Sequence, residues 1–293
     1  MDMTGPKQVD EEGFAKFKAM YARNIRPELA GYIGVEVECF LTDAISGELA
    51  MASPWALEEF KKLQWTLPNG AKCSPMKFVG KEFFAGQLEY KTAPCSSIGA
   101  LAANLAWVKC NVEETLSTLG LKALYVEYYD GPLNPVIYPE PRYLEFAATK
   151  ATPARIDAMC RVAGVHSHHG VRDLDDMLAV ANGVAPHTER ICRLGDHTGG
   201  KRVEAFLTVI SPQPRQTPQY PSWEAYFQAA VEHGFVDEPQ NNWMFIRPSA
   251  AHGTVEIRTY GTTESLEEML GMANEGIMLH AAHTRHTRRR RAH

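Results

Sequence analysis

The sequence predicts an α+β protein, an antiparallel β-sheet covered by helices on one face. Three observations predict it. Short apolar runs with period-two character, such as "GYIGVEVECFLTD" at 31–43, are interspersed with stretches of helical spacing. The strand-to-strand connections include hairpin-length turns, which join antiparallel rather than parallel strands. No internal repeat or low-complexity linker divides the chain. Residues 1–283 therefore read as one domain, followed by a basic tail at 284–293.

The elements follow in order. Residues 10–26 carry a helical stripe of Phe14, Phe17, Met20 and Tyr21. The strand at 31–42 runs into a hairpin turn at Ser46-Gly47. "SPWALEEFKKLQ" reads as a short helix with Ser53 as N-cap and Pro54 in the first helical position. Strands are expected at 76–84 and 86–94, then a helix at 96–119 opened by Ser96 or Ser97, with Ile98, Leu101, Leu105 and Val108 on one face. "KALYVEYYD" reads as a strand and "GPLNPVIYPEPR" as an extended surface connection. A helix at 142–150 or 153–158 precedes the strand "CRVAGVHSHHGV". Residues 173–194 are helical in pattern, with a break at Pro186. "GDHTGGKR" reads as a loop, and "PSWEAYFQAAVEHG" as a helix between Ser222 and Gly234. "NWMFIRPSAAHGTVEIRTYG" supplies two more strands, and 263–283 a last helix starting near Ser265.

Composition narrows the class. A 293-residue chain with 45% hydrophobic and 22% charged residues is an ordinary globular composition. The formal net charge of −5 leaves no general footprint for nucleic acid, and the arginine run from 285 to 291 reads as a solvated terminus. No apolar run approaches the ~20 residues a membrane-spanning helix needs, and the N-terminus lacks a signal-peptide core. The six cysteines are scattered without a Cys-x-x-Cys pair, as in a reducing cytoplasm. The expected location is cytoplasmic, with no nucleic-acid or membrane partner; a homo-oligomer is compatible with the sequence.

The chemistry lies in the charges that interrupt four strands. Glu36 and Glu38 are two apart, so both side chains share a face with carboxylates roughly 6–7 Å apart. The opposite face offers Val35, Val37 and Cys39, so the pair sits on a core-seeking strand. Two like charges there cost free energy unless a cation compensates them. Glu89 stands between Leu88 and Tyr90 in "GQLEYKTAP". His166 and His168 share a face of "GVHSHHGV". In "GTVEIRTYG", Val255 and Ile257 alternate with Glu256 and Arg258. Any one of these has a bland reading as a satisfied buried acid or a core histidine. Together they predict Glu, Glu, Glu, His and Glu around one site, a donor set better suited to Mg²⁺ or Mn²⁺ than to zinc. Acidic residues, metal and arginines suit phosphate chemistry. Neither a Gly-x-x-x-x-Gly-Lys-Ser/Thr loop nor kinase motifs are present.

Taken in order, "GVEVE", "QLEYKT", "GVHSHHG" and "IRPSAAHGTVEIR" resemble the signature of the glutamate–cysteine ligase type 2, or carboxylate–amine ligase, family, across about residues 30–270. The resemblance implies a curved antiparallel sheet of the glutamine synthetase catalytic-domain type, with its helices on the outer face. It implies two or three Mg²⁺ (or Mn²⁺) ions between ATP and an acceptor carboxylate. Glu36, Glu38, Glu89, His166 and Glu256 become metal ligands, and His168 a contact to nucleotide phosphate. Arg258 would face the γ-phosphate or the substrate carboxylate, with Arg247 and Arg202 as further arginines of the site. The implied activity is ATP-dependent amide formation, with a γ-glutamyl bond as one form of it, from small-molecule carboxylate and amine substrates through an acyl phosphate. The chain departs from the family where "CRLGDHTGGKR" replaces an "SPFW"-like segment; Asp196 and His197 are read there as a turn rather than as part of an acceptor pocket. Its C-terminal region is also shorter than in many relatives. A phosphotransferase on the same sheet and a nucleotide- or amino-acid-binding pseudoenzyme are the competing readings.

Overall fold

The computed structural model describes residues 10–291, with side chains through Ala281. The chain enters through α1 (Glu11–Ala22), where the Asp10 carboxylate accepts the Gly13 N–H, and passes into the long strand β1 (Ile33–Asp43). Helix α2 (Ser53–Lys61) and a small hairpin of β2 (Trp65–Thr66) and β3 (Lys72–Cys73) follow. Strands β4 (Val79–Lys81) and β5 (Gln87–Lys91) lead to the long helix α3 (Ile98–Thr118) and to β6 (Leu121–Leu124). Helices α4 (Pro141–Thr149) and α5 (Pro153–Arg161) both form, each with proline in its first turn, before β7 (Gly164–Gly170). Next come α6 (Leu174–Val184), α7 (Thr188–Cys192), α8 (Lys201–Ile210) and α9 (Trp223–Glu232). Strands β8 (Ile246–Ser249) and β9 (Thr254–Gly261) and helix α10 (Leu266–Arg291) complete the chain.

Among the described residues, one antiparallel sheet runs β4-β5-β1-β7-β9-β8, with β6 also paired to β1. Ile33, Val35, Val37, Cys39 and Leu41 of β1, with Leu88 and Tyr90 of β5 and Val255 and Ile257 of β9, face the main core. That face is covered by α3 through Leu101, Leu105 and Val108, by α6 through Met177 and Val180, and by α10 through Met269 and Met272. Each fully buried side chain of this size contributes roughly 1.5–3 kcal/mol. On the other face, Phe40, Phe83 and Phe84 pack with residues of α5 and α8, walling one end of the sheet. No described helix is long and apolar enough to cross a membrane.

Four local expectations change. The strand expected through "KALYVEYYD" stops at Leu124, because β6 and β7 share one edge of β1 end to end: β6 pairs from Phe40 onward and β7 up to Val37. Ser53 is the first residue of α2 rather than its cap; Ala52 holds the cap position, and the Ser53 hydroxyl is buried without a hydrogen-bond partner among the described residues. Ile98, at the very start of α3, is exposed, while Leu101, Leu105 and Val108 are buried as expected. Lys201 and Arg202 belong to α8 rather than to the preceding loop, which ends at Gly200 with φ of 96°. The backbone of α10 continues as helix to Arg291 through the arginine run, whose side chains lie outside the described residues, as do residues 292 and 293.

Candidate active site

Strand register assembles the site. Glu38 lies opposite Glu89 on β5, and Glu36 lies opposite His166 on β7. His168 pairs with Glu256 on β9, which pairs in turn with Arg247 on β8. Because alternate residues share a face, these pairs put all the predicted acids and both histidines on the side away from the main core. The four acids and His166 line a cavity of about 550 Å³, while His168 lines a neighbouring one.

His166 is central. Its Nδ1 is 3.7 Å from Glu36 Oε2 and 3.9 Å from Glu256 Oε1, and its Nε2 is 3.5 Å from Glu38 Oε1. One donor each from Glu36, His166 and Glu256 lie within 4.8 Å of one another, close enough to converge on one cation. Glu38 also accepts the Gly164 N–H at 2.7 Å. Glu89 is brought beside Glu38 by register, but its carboxyl is hydrogen-bonded to that of Glu82.

The electrostatics separate the acids into two groups. Burial raises the Glu36 carboxyl, yet His168 and His166 outweigh it and hold the group well below the usual carboxylate range. Burial likewise opposes ionisation of Glu256, but Arg247 and Arg258 keep it strongly acidic. Glu89 goes the other way: burial, then the charges of Glu36 and Glu82, raise it well above the ordinary range. Glu82 is pushed up to about 8 by burial and by Glu38. The Glu82–Glu89 pair therefore retains a proton at neutral pH when no cation is present to replace it.

The three arginines do different things. Arg247 grips Glu256 with Nε at 2.9 Å and Nη2 at 3.3 Å, and its Nη1 donates to the carbonyls of Gln240 and Asn242. Arg258 donates from Nη1 to Glu256 at 2.9 Å, while its buried Nε has no hydrogen-bond partner among the described residues. Arg202, expected as a further arginine of the site, lines the cavity but has its donors turned to the backbone. It is buried and spends three donors on the backbone carbonyls of Ala163, Thr259 and Arg258, at 3.0, 2.7 and 3.2 Å. A Cβ at 164 would stand 2.6 Å from the Arg202 guanidinium, so a side chain there would push the arginine off its carbonyls.

His168 is buried beside Glu36, with Nε2 at 3.2 Å from Glu36 Oε2 and Nδ1 at 2.9 Å from Thr254 Oγ1. Asp196 forms a turn, accepting the Thr198 and Gly200 N–H groups, and His197 pairs with Glu268 at 2.7 Å. Two residues of the site escaped the sequence reading. Glu82 directly follows β4; it falls in the strand expected at 76–84 but was not singled out there, its charge being the one signal. His252, whose Nε2 is 3.7 Å from Glu36 Oε1, lies in the β8–β9 loop, where periodicity carries no information.

A second cavity, of about 430 Å³, lies on the far side of Glu36 and His168. Arg26, Lys77 and Lys91 line it, and it meets the first at Glu36, Lys91 and His252. The buried His168 Nε2 and Arg258 Nε, together with the crowded carboxylates, leave polar groups in this face for which ligands would provide partners; the residues fit a divalent cation and an anionic substrate.

Several named proteins are similar to this chain. A Saccharopolyspora erythraea protein named "Putative glutamate--cysteine ligase 2-2" is 27% identical over 252 residues, covering 80% of this chain and 61% of its own length. A Thermobifida fusca protein named "Putative glutamate--cysteine ligase 2" is 25% identical over 264 residues, covering 84% and 62%. The chain thus spans about three-fifths of the length of these relatives. The solved bifunctional glutathione synthetase of Pasteurella multocida superposes on 92% of this chain and 43% of its own, with a TM-score of 0.49 and 13% identity. The sequence pattern of glutamate-cysteine ligase family 2 matches residues 32–188, more than half of the 293. The chain belongs to that family.

Proposed function

We propose that this chain is the catalytic core of an ATP-dependent carboxylate–amine ligase of the glutamate–cysteine ligase kind, acting as a single catalytic domain over residues 1–283. The observation that carries the reading is the convergence of Glu36, Glu38, Glu89, His166 and Glu256, drawn from four strands, on one cavity face beside Arg258.

In this reading the substrate carboxylate attacks the γ-phosphorus of ATP, releasing ADP and leaving an acyl phosphate. The amine then attacks the acyl carbon, a proton leaves the nitrogen, and phosphate departs as the amide forms. Glu36, His166 and Glu256 would hold one Mg²⁺ or Mn²⁺ ion, and Glu38 and Glu89, with Glu82, another. Such ions neutralise phosphate charge and offset the repulsion among the carboxylates. Arg258 directs its donor fork at the transferring phosphoryl group, and Arg247 fixes the orientation of Glu256. The two cavities meeting at Glu36 offer one approach to nucleotide and one to the acceptor pair. The cations Arg26, Lys77 and Lys91 favour the second cavity for the phosphate chain.

The test is ADP release with Mg²⁺ across amino acids paired with amines. Release that requires both a carboxylate and an amine supports a ligase. Release with carboxylate alone, at the same rate and with no amide formed on adding amine, supports a phosphotransferase, and no release with any pair counts against catalysis.

A further inference from the structure

We infer that Tyr226 and Asn242 are positioning residues for the site, acting through Arg247 on the Glu256 carboxylate. The inference rests on the proposed role of Glu256 as a metal ligand.

A continuous run of hydrogen bonds leads from the first helix to that carboxylate. Tyr21 of α1 and Tyr226 of α9 meet hydroxyl to hydroxyl at 3.2 Å. The Tyr226 oxygen accepts from the Asn242 side-chain amide at 2.9 Å. The backbone carbonyl of Asn242 accepts from Arg247 Nη1, and the Gln240 carbonyl accepts from the same nitrogen at 3.2 Å. Arg247 then closes on Glu256 with Nε at 2.9 Å and Nη2 at 3.3 Å. One rigid guanidinium plane therefore joins the 240–242 segment to the carboxylate, and a rotation of the segment turns the plane with it.

Asn242 fixes the direction of that segment. It is fully buried and follows the short 3₁₀ turn Pro239–Asn241, ahead of the pairing that begins in β8. Its side chain supplies the anchor a strand ladder would otherwise give: Nδ2 donates to Tyr226, and Oδ1 accepts the Met244 N–H at 3.0 Å. A carboxylate in its place is acceptor-only and an apolar side chain offers neither role, whereas an amide fills both. Gln213 steadies the neighbouring residues, donating to the Asn241 carbonyl at 2.7 Å and accepting the Trp243 N–H at 2.8 Å.

The Tyr226 hydroxyl has no part in the packing of its own ring. That ring is buried among Phe17, Tyr21, Tyr220 and Trp223, with centroids 5.0–5.8 Å away. Phenylalanine would keep those contacts. A hydroxyl buried in such a cluster costs free energy unless it is paired, and here its partners are Tyr21 and the residue that aims a carbonyl at Arg247. Groups behind a metal ligand set its orientation and so its affinity.

Calorimetric titration of the full chain with Mn²⁺, without nucleotide or substrates, tests this without calling on ligase activity. Glu36→Gln removes one donor of the Glu36, His166 and Glu256 group and should weaken binding by about tenfold or more. Tyr226→Phe leaves every ligand in place and should weaken it by about threefold or more, measured well below the melting temperature. Tyr220→Phe controls for packing. Its ring lies 5.0 Å from that of Tyr226 and its hydroxyl donates to Met244 Sδ at 3.7 Å, outside the run to Arg247, so this variant should keep the wild-type affinity. Wild-type affinity in Tyr226→Phe beside a loss in Glu36→Gln overturns the positioning role and leaves the metal site standing. Wild-type affinity in both removes the metal site, and the positioning role with it. Equal losses in Tyr226→Phe and Tyr220→Phe reduce the effect to packing and overturn the inference as well.

Discussion

Arg202 donates from Nη1 to the Thr259 carbonyl across 2.7 Å, at the point where β9 carries one residue more than β7 can pair. Val165 pairs with Tyr260 and Ser167 with Ile257, so His166 alone opposes both Arg258 and Thr259. Strict alternation would put Tyr260 on the same face as Glu256; the bulge turns it into the main core instead. Bulged residues lose ladder partners, and the Arg202 guanidinium supplies donors to the carbonyls of both Arg258 and Thr259. The bulge thus orients Arg258 and His166, and a buried arginine from another helix stabilises it.

Arg202→Met should therefore act on stability before chemistry. It strips donors from three buried carbonyls, at about 1–3 kcal/mol each when nothing replaces them, partly offset by removal of a buried charge. We expect a net loss of about 2–5 kcal/mol, read as a lower denaturant midpoint at unchanged m-value. A variant of wild-type stability with abolished turnover would instead place Arg202 in the chemistry of the site.

Two conservative glutamate substitutions should separate in sign. Glu256 is 2% exposed and paired with Arg247 and Arg258, so Glu256→Gln leaves two buried cations short of their counter-charge and should cost about 3–5 kcal/mol. Glu89 crowds other carboxylates, and Glu89→Gln should leave the metal-free protein as stable as the wild type or more so. Thermal melts in chelator at neutral pH compare the two. Equal losses would show that the acids form one undifferentiated cluster.

Much of this site could be read from the sequence because strands encode it locally. Period two fixes which residues share a face, so Glu36 with Glu38, His166 with His168, and Glu256 with Arg258 were legible wherever the strands happened to pair. Pairing itself is nonlocal. That Glu89 lies opposite Glu38, and that β6 must end where β7 begins, depends on register. The bulge at Arg258–Thr259 left no mark in the sequence, so the backbone carbonyls that engage Arg202, read as a further arginine of the site, could not be anticipated. His252 was missed because it lies in a loop, and Glu82 because nothing in its own strand marks it as the partner of Glu89. Helix α8 was hidden behind the two glycines that precede it.

The Glu82–Glu89 pair sets a pH dependence for the metal-free protein. A carboxyl whose folded pKa is raised binds more protons folded than unfolded, so stability is fully present below the unfolded value and falls as pH rises through the folded one. For Glu82 the window runs from about 4.5 to about 8. The melting temperature in chelator should decline across that range, and Glu82→Gln should flatten the decline. Added Mg²⁺ must displace the shared proton, so its stabilising effect should be larger at pH 8 than at pH 5. A flat profile in the wild type would mean the pair is not held in contact.

The proposed chemistry bears most directly on Arg258. It holds Glu256 with one donor, keeps a buried Nε without a partner among the described residues, and lies 5.7 Å from the Trp243 ring. Arg258→Lys keeps the charge but loses the planar fork that can hold Glu256 and a phosphoryl oxygen together. If the fork acts on the phosphoryl group in flight, turnover should fall by at least tenfold while the apparent affinity for ATP changes severalfold or less. The intermediate can be sought separately. Wild-type protein given carboxylate and ATP without amine should yield a hydroxamate when hydroxylamine is added, and Arg258→Lys should yield it more slowly by the same factor as its turnover. Amide formation without any trappable hydroxamate would remove the acyl phosphate from the scheme. A substitution that shifts only the affinity for ATP would make Arg258 an anchor for the bound nucleotide, and phosphoryl transfer would need a different donor among the groups lining the cavity.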